Sequence, residues 1–364
     1  MNQFITPEIK DVLKAVHYRP AVSIIMPFKT KINLHTELRH SLKIAADKVE
    51  RELIFNYPAE ICKLLMQKLL EVIENIDFNT GKKGIVIYVS LVFEKVLYLD
   101  IPVEEKVIVD DSFEIRDLVY NTKQLHKYLL LVLSGKETKI YLGNAELLRV
   151  ELNMPESVYA YVNDAPERVA NFSDMSDRKE TIMDKFLLNI DNGLNKILNT
   201  YKLPLVVLGT ERIAGHFKKL TRHAAAVIEY IHGNYEEATL PDLRETASRY
   251  IAGWEKLEEK KLLDKLEEAA GANKLAVGIK DVWHEAVGQN GRLLVVEKNF
   301  RYAAQHGATQ AIIDELVEPF DKFPYIRDAV DDIIEKVLQN GGDIEFVDQD
   351  ILKDYDHIAL VQYY

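Results

Sequence analysis

The spacing of apolar residues changes repeatedly along the chain, and each change predicts an element. Residues 22–26, VSIIM, are mostly apolar and are halted by Pro27, which predicts a short strand. The polar loop FKTKIN follows. Helical periodicity then covers about 37–54 and 58–76, the second stretch with Pro58 in its first turn, where a missing N–H is tolerated. After the turn Gly81-Lys82-Lys83-Gly84, the segments GIVIYVS and EKVLYLD predict a strand pair, 107–109 a further short strand and 113–120 a closing helix.

A second group starts with YLLLVLS, the turn Gly135-Lys136, ETKIYLG and ELLRVEL, three successive strands that most simply form an antiparallel meander. In the polar stretch NFSDMSDRKE, Asp177 and Glu180 stand three apart, a helix-start signature, and helical spacing continues to about Thr200. Strand 205–208, helix 211–221, strand 226–231 and a long charged helix over 240–269 complete the order βββαβαβα, that of an RNase H-like fold. Such a topology leaves the chemistry open.

The third group begins with the helix LAVGIKDVWHEAV, the stop Gly288-Gln289-Asn290-Gly291 and the strand RLLVVEK. Near the end, Ala329, Ile333, Ile334, Val337 and Leu338 lie at helical spacing, and Asn340-Gly341-Gly342 supplies residues that tolerate the positive φ of a helix C-terminus. Ile344, Phe346 and Val347, then residues 358–361, predict two more strands. The fold class is therefore α/β, mixed with α+β, in three domains at 1–122, 123–270 and 271–364. No Pro/Ser-rich linker separates them, so the joints are expected to be short.

Composition narrows the partners. No run of about 18 apolar residues exists, so no membrane span is expected. The stretch MNQFITPEIKDV carries acids and a proline where a signal peptide needs an apolar segment, and Cys62 is the single cysteine; a cytoplasmic home is expected. Cys62 reads as a small hydrophobe in the apolar helix AEICKLLMQKLL. The net charge of −12 divides into −2 over 1–122, −2 over 123–270 and −8 over 271–364. Such an acidic last domain repels phosphate backbones and suits a basic protein partner, or simply confers solubility. Any RNA contact should come from the first two thirds; DNA is not an expected partner.

Lys29, Lys31, His35, Arg39, His40 and Lys43 lie in and after the first polar loop, either as an RNA-phosphate patch or as a solvated face. Lys82 and Lys83 present the same choice in their turn. Arg212, Lys218, Lys219 and Arg222 form a second patch, with Lys218 and Arg222 four apart on one helix face. GTERIAG, residues 209–215, follows a strand and opens a helix, which suits an anion, but it lacks the Lys-Ser/Thr ending of a nucleotide loop; its plainer reading is a turn with Thr210 capping the helix.

A nuclease of RNase H type needs carboxylates on neighbouring strand ends to hold two metals. The strand over 128–134 carries no acid, and Glu137 and Glu146 look solvent-facing. His35 and His40, and His216 and His223, stand five and seven apart, and only one cysteine is present, so no metal and no cofactor are expected. No Gly-x-Ser-x-Gly elbow occurs. Asp314, Glu315, Glu318, Asp328, Asp331 and Asp332 are candidates for a partner-docking rim, or for an ordinary soluble face.

AVSIIMPF, YLLLVLSGKETKIYLGNAELLRVEL, LPLVVLGTERIAGHFKKL, VGIKDVWHEAVGQNGRLLVVEKN and IIEKVLQNGGDIEFV together resemble, in this order, the three domains of the release factor and Pelota family. More specifically, the chain resembles the bacterial archaeo-eukaryotic release-factor-like branch that includes Balon-like ribosome hibernation factors. The resemblance implies an RNase H-like middle domain and a last α/β sandwich like that of kink-turn-binding ribosomal proteins. It also implies a first domain facing the decoding centre, a middle domain reaching toward the peptidyl-transferase centre, and a last domain docking a translational GTPase such as EF-Tu.

Two departures follow. The Gly-Gly-Gln loop of true release factors should correspond to 170–180, ANFSDMSDRKE, where Asn171, Ser173, Asp174, Arg178 and Lys179 stand and neither glycine nor glutamine occurs. Gly341-Gly342 is followed by Asp343 in another domain, and Asn-Ile-Lys-Ser is absent from the first. The expectation is a non-catalytic factor that occupies the tRNA A site in ribosome hibernation or rescue. The rival expectations are a hydrolase of RNA or peptidyl-tRNA and a stress-related interaction scaffold.

Overall fold

The structure is a computed structural model that describes residues 7–15, 19–28, 35–78, 80–125, 128–134, 138–143, 147–149, 175–201, 203–307, 309–315 and 325–364. The chain divides into two compact units, Met1–Lys123 with Leu262–Tyr364, and Gln124–Lys261.

The first unit opens with α1 (Pro7–Lys14), which the apolar pattern does not predict, and β1 (Ala21–Pro27). Next come α2 (His35–Asn56), α3 (Ala59–Glu74), β2 (Gly84–Val89), β3 (Glu94–Leu99), β4 (Lys106–Asp110) and α4 (Arg116–Leu125). The sheet order is β3-β2-β1-β4, and every pairing is antiparallel. Pro58 occupies the N-cap of α3, one position before the first turn.

Side chains alternate across this sheet, as strand geometry requires. Val22, Ile24 and Met26 join Ile85, Ile87 and Val89 in a core with Leu42, Val49, Leu65 and Leu69 of α2 and α3. Ile25, Val86 and Tyr88 belong to a second core, which also holds Trp283, Ile333 and Ile334 from the far end of the chain. Both faces of β1 and β2 are therefore buried, and each fully buried Ile or Leu contributes roughly 1.5–3 kcal/mol.

The second unit holds β5 (Tyr128–Leu133), β6 (Lys139–Gly143), β7 (Leu147–Arg149), α5 (Met175–Tyr201), β8 (Leu205–Gly209), α6 (Glu211–Leu220), β9 (Val227–His232) and the first part of α7 (Leu240–Gly271). The sheet order is β7-β6-β5-β8-β9. β5, β6 and β7 form the expected antiparallel meander, while β8 runs parallel to β5 and to β9. Leu129, Leu131 and Val207 pack with Phe186, Ile190, Leu194 and Phe217 of α5 and α6. Leu130, Val132, Val206 and Leu208 meet Leu243, Ala247 and Ile251 of α7 on the other face.

The last turns of α7 return to the first unit. β10 (Leu275–Val277), α8 (Gly278–Val287), β11 (Gly291–Glu297), β12 (Ala304–His306), β13 (Ile313–Glu315), β14 (Tyr325–Ile326), α9 (Ala329–Gln339), β15 (Asp343–Val347) and β16 (Ile358–Gln362) follow. The main sheet is ordered β10-β16-β11-β15, with β11 parallel to β15 and β16 antiparallel to both neighbours. Leu266 and Ala269 of α7 cover one face through Val295, Ala359 and Val361. Val282, Trp283, Ile333 and Val337 of α8 and α9 cover the other through Leu294, Val296 and Leu360. A second sheet, β13-β12-β14, was not foreseen, because strands of two or three residues are too short to carry an alternation signal.

Candidate nucleic-acid interface

The basic patch of the second unit is built where α6 stops. Thr221 is extended, with φ −67° and ψ 134°, so Arg222 lies beyond the helix and does not share a helix face with Lys218 as the spacing suggests. Asp191 of α5, fully buried, explains the stop. Its Oδ1 accepts hydrogen bonds from Thr221 Oγ1 at 2.7 Å and from Arg222 N at 3.3 Å. Its Oδ2 takes the Arg222 Nε hydrogen at 2.9 Å. Arg222 Nη2 also donates to Asn192 Oδ1.

Lys218 holds its ammonium 5.3 Å from the centre of the Tyr230 ring on β9, a cation–π distance. Lys219 and Arg212 are exposed. His216 Nδ1 lies 3.2 Å from Asp184 Oδ1. Thr210 takes the N-cap position of α6 but makes no side-chain capping bond.

The patch on the first unit is described only in part. Lys29 and Lys31 lie outside the described residues, as does the side chain of His35. Arg39 and Lys43 are exposed on α2, and the Arg39 guanidinium lies 5.3 Å from the Phe78 ring centre. Lys82 is committed to Asp100, with Nζ 2.7 and 2.8 Å from the two carboxylate oxygens. Asn171, Ser173 and Asp174, with Glu137 and Glu146, lie outside the described residues. Arg178 and Lys179 are on the opening turns of α5, so the second half of the stretch expected to be a loop is helical; their side chains are outside the described residues.

The acidic candidates separate. Asp314 and Glu315 are exposed on β13, with Asp314 Oδ1 3.4 Å from Lys280 Nζ, and Glu318 lies outside the described residues. Asp328 and Asp331 do not form an exposed rim. Asp328 caps α9 by accepting from Val330 N, and its Oδ2 pairs with Arg116 Nη2 at 2.9 Å. Asp331 is 3% exposed and accepts from the backbone N–H of Ile115 and Arg116, at the start of α4. A carboxylate suits that place, because the first amides of a helix lack internal partners.

Arg116 itself is 4% exposed and donates through Nη1 to Phe300 O at 2.7 Å. Asp332 is half-buried, and burial pushes its carboxyl up to about 8, against the pull of Lys336. Sequence reasoning missed this joint because its partners stand 215 residues apart.

Among the described residues no group of three or more His, Cys, Asp or Glu side chains could hold a metal ion, and no helix is long and apolar enough to cross a membrane.

Residues 127–292 match the model of bacterial archaeo-eukaryotic release factor family 3. Over that stretch the chain is similar to the bacterial archaeo-eukaryotic release factors. Similar solved structures include archaeal Pelota, ribosome-bound with ABCE1, at 11% identity over 76% of this chain and 73% of that one, with a TM-score of 0.46. Dom34 of S. cerevisiae, a translation termination-like factor of RNA quality control that interacts with Hbs1, is 12% identical over 80% and 76%, with a TM-score of 0.41. The archaeal translation termination factor aRF1 is 14% identical over 98% and 97%, with a TM-score of 0.24. No curated protein matches the chain.

Proposed function

We propose that this release-factor/Pelota-like protein is a non-catalytic ribosome-binding factor that occupies the tRNA A site of idle or stalled ribosomes, in hibernation or rescue. The observation that carries this reading is the family match over 127–292 in a chain whose corresponding loop, 170–180, contains neither glycine nor glutamine. Without that tripeptide the middle domain lacks the group that helps water attack peptidyl-tRNA in true release factors. The exposed cations Arg212, Lys219 and Arg222, with Arg39 and Lys43, support contact with ribosomal RNA, because phosphate neutralisation by Lys and Arg supplies most sequence-independent affinity. Lys29 and Lys31 belong to the same proposal on sequence grounds.

A translational GTPase such as EF-Tu is the proposed protein partner, with Asp314 and Glu315 of the acidic last domain as its contacts. Sedimentation tests the main reading. The purified protein should co-migrate with vacant ribosomes at moderate salt, and failure to do so would reject it. Co-purification with the GTPase, measured with and without ribosomes, tests the partner separately.

A further inference from the structure

We propose that buried Asp191 is a positioning residue that aims the guanidinium of Arg222 at a phosphate of an RNA backbone. The proposal rests on the RNA contact invoked above and adds to it the atoms that make the contact. Arg222 is 63% exposed at its side chain, whereas Asp191 is 0% exposed. A lone exposed arginine samples many rotamers, and ordering it on binding costs entropy. Here the side edge of the guanidinium is already held, by Asp191 Oδ2 at Nε and by Asn192 Oδ1 at Nη2.

Of the five N–H groups an arginine carries, two are used there, and the end of the fork at Nη1 and Nη2 is left for an acceptor. Among the described residues no hydrogen bond reaches Nη1. Asp191 also fixes the backbone beneath, through Thr221 Oγ1 and Arg222 N. The helix ends just before this point, with Lys218 and Lys219 in its last turn. Lys218 is steadied on Tyr230. A forked donor that follows a helical turn carrying two lysines matches the paired non-bridging oxygens of a phosphodiester.

The opposing effect makes the idea testable. Asp191 is an anion beside the contact. If it were a mere counter-charge, removing it would strengthen RNA binding. If it positions Arg222, removing it weakens binding although the protein becomes less negative. Asp191→Asn keeps an oxygen for Thr221 Oγ1 and Arg222 N, so the helix end is retained; equal urea midpoints with the native protein verify this.

Binding of the full chain is measured to vacant ribosomes and to oligouridylate, each across a salt series. Arg222→Ala should lower the slope of log K against log salt by about one unit. Asp191→Asn should lower affinity several-fold, and should have no further effect in the Arg222→Ala background. Equal or greater affinity for Asp191→Asn, or an unchanged slope for Arg222→Ala, overturns the proposal. Native protein that binds oligouridylate but not ribosomes rejects the ribosomal reading while these same comparisons still decide the site. Binding to neither probe removes both. Inorganic phosphate that competes beyond its ionic strength would reassign the site to a free anion and overturn the backbone proposal.

Discussion

The carboxylate of Asp331 on α9 accepts the backbone N–H of Arg116, at the start of α4, at a distance of 2.7 Å. Through this bond an acid near the end of the chain caps a helix that closes the first segment. Ile115 N donates to the same group at 3.1 Å, and the guanidinium of Arg116 turns to Asp328, one turn earlier. One arginine and two aspartates thus satisfy two helix N-termini inside a single unit.

Asp331→Ala should therefore destabilise the first unit by about 1–3 kcal/mol, the cost of leaving buried donors without an acceptor. Asp331→Asn should cost less, since one carbonyl oxygen remains to accept. Urea unfolding monitored by the fluorescence of Trp283, which lies in the shared core, measures both. An alanine variant as stable as the native protein would show that the cap is idle.

Stability should fall as pH rises across the neutral range. Burial raises Asp110 to about 6 and Asp332 to about 8, against an unfolded value of about 4. Between those limits the folded protein keeps protons that the unfolded chain has released, so the folded state loses ground as they are withdrawn. The decline from Asp110 runs from about 4 to about 6, and that from Asp332 from about 4 to about 8. Asp332→Asn should flatten the curve most clearly between pH 6 and 8, where only this carboxyl of the two still titrates. Urea midpoints taken at half-unit pH steps test this, and a variant whose curve stays parallel to the native one across that window would refute it.

The order of elements was legible because local pattern decides it. The meander of β5, β6 and β7, the two helices after β1 and the helix–turn–strand around Gly341 all follow from periodicity and turn residues within short windows. The association of the first and last segments was not, since it depends on residues such as Glu52 and Arg327, joined at 2.9 Å across most of the chain. A signal was present: β2 is apolar at consecutive positions, and β1 is so apart from Ser23, the mark of strands covered on both faces. The candidate cations could be named but their commitments could not. Lys82 and Arg222 look alike in sequence, yet one is bound to Asp100 and the other is held by a buried Asp191 with part of its fork turned outward.

The paired glycines after α9 do different work. Gly341 has φ +81° in open space, the usual helix stop. A Cβ on Gly342 would come within 2.4 Å of Gly291 O and 2.6 Å of Val337 Cγ1. Gly342→Ala should thus cost about 1–3 kcal/mol, as overpacking against backbone does. Gly341→Ala strains only φ and should cost about 1 kcal/mol. Thermal unfolding of the two variants gives the comparison, and equal losses would contradict the distinction.

Charge changes outside the Asp191 site should discriminate real phosphate contacts from ordinary surface. Lys219 is exposed in the last turn of α6. If it neutralises a phosphate, Lys219→Ala lowers the salt slope of ribosome binding by about one unit. Lys82 is half-buried and spends its ammonium on both oxygens of Asp100. Lys82→Ala exposes that carboxylate but removes no free cation, so the slope should not move. Both variants keep the core intact, and the shift in slope, unlike a shift in affinity alone, is insensitive to small losses of stability. A Lys82 variant that lowers the slope while Lys219→Ala does not would relocate the RNA contact from the second unit to the turn of the first.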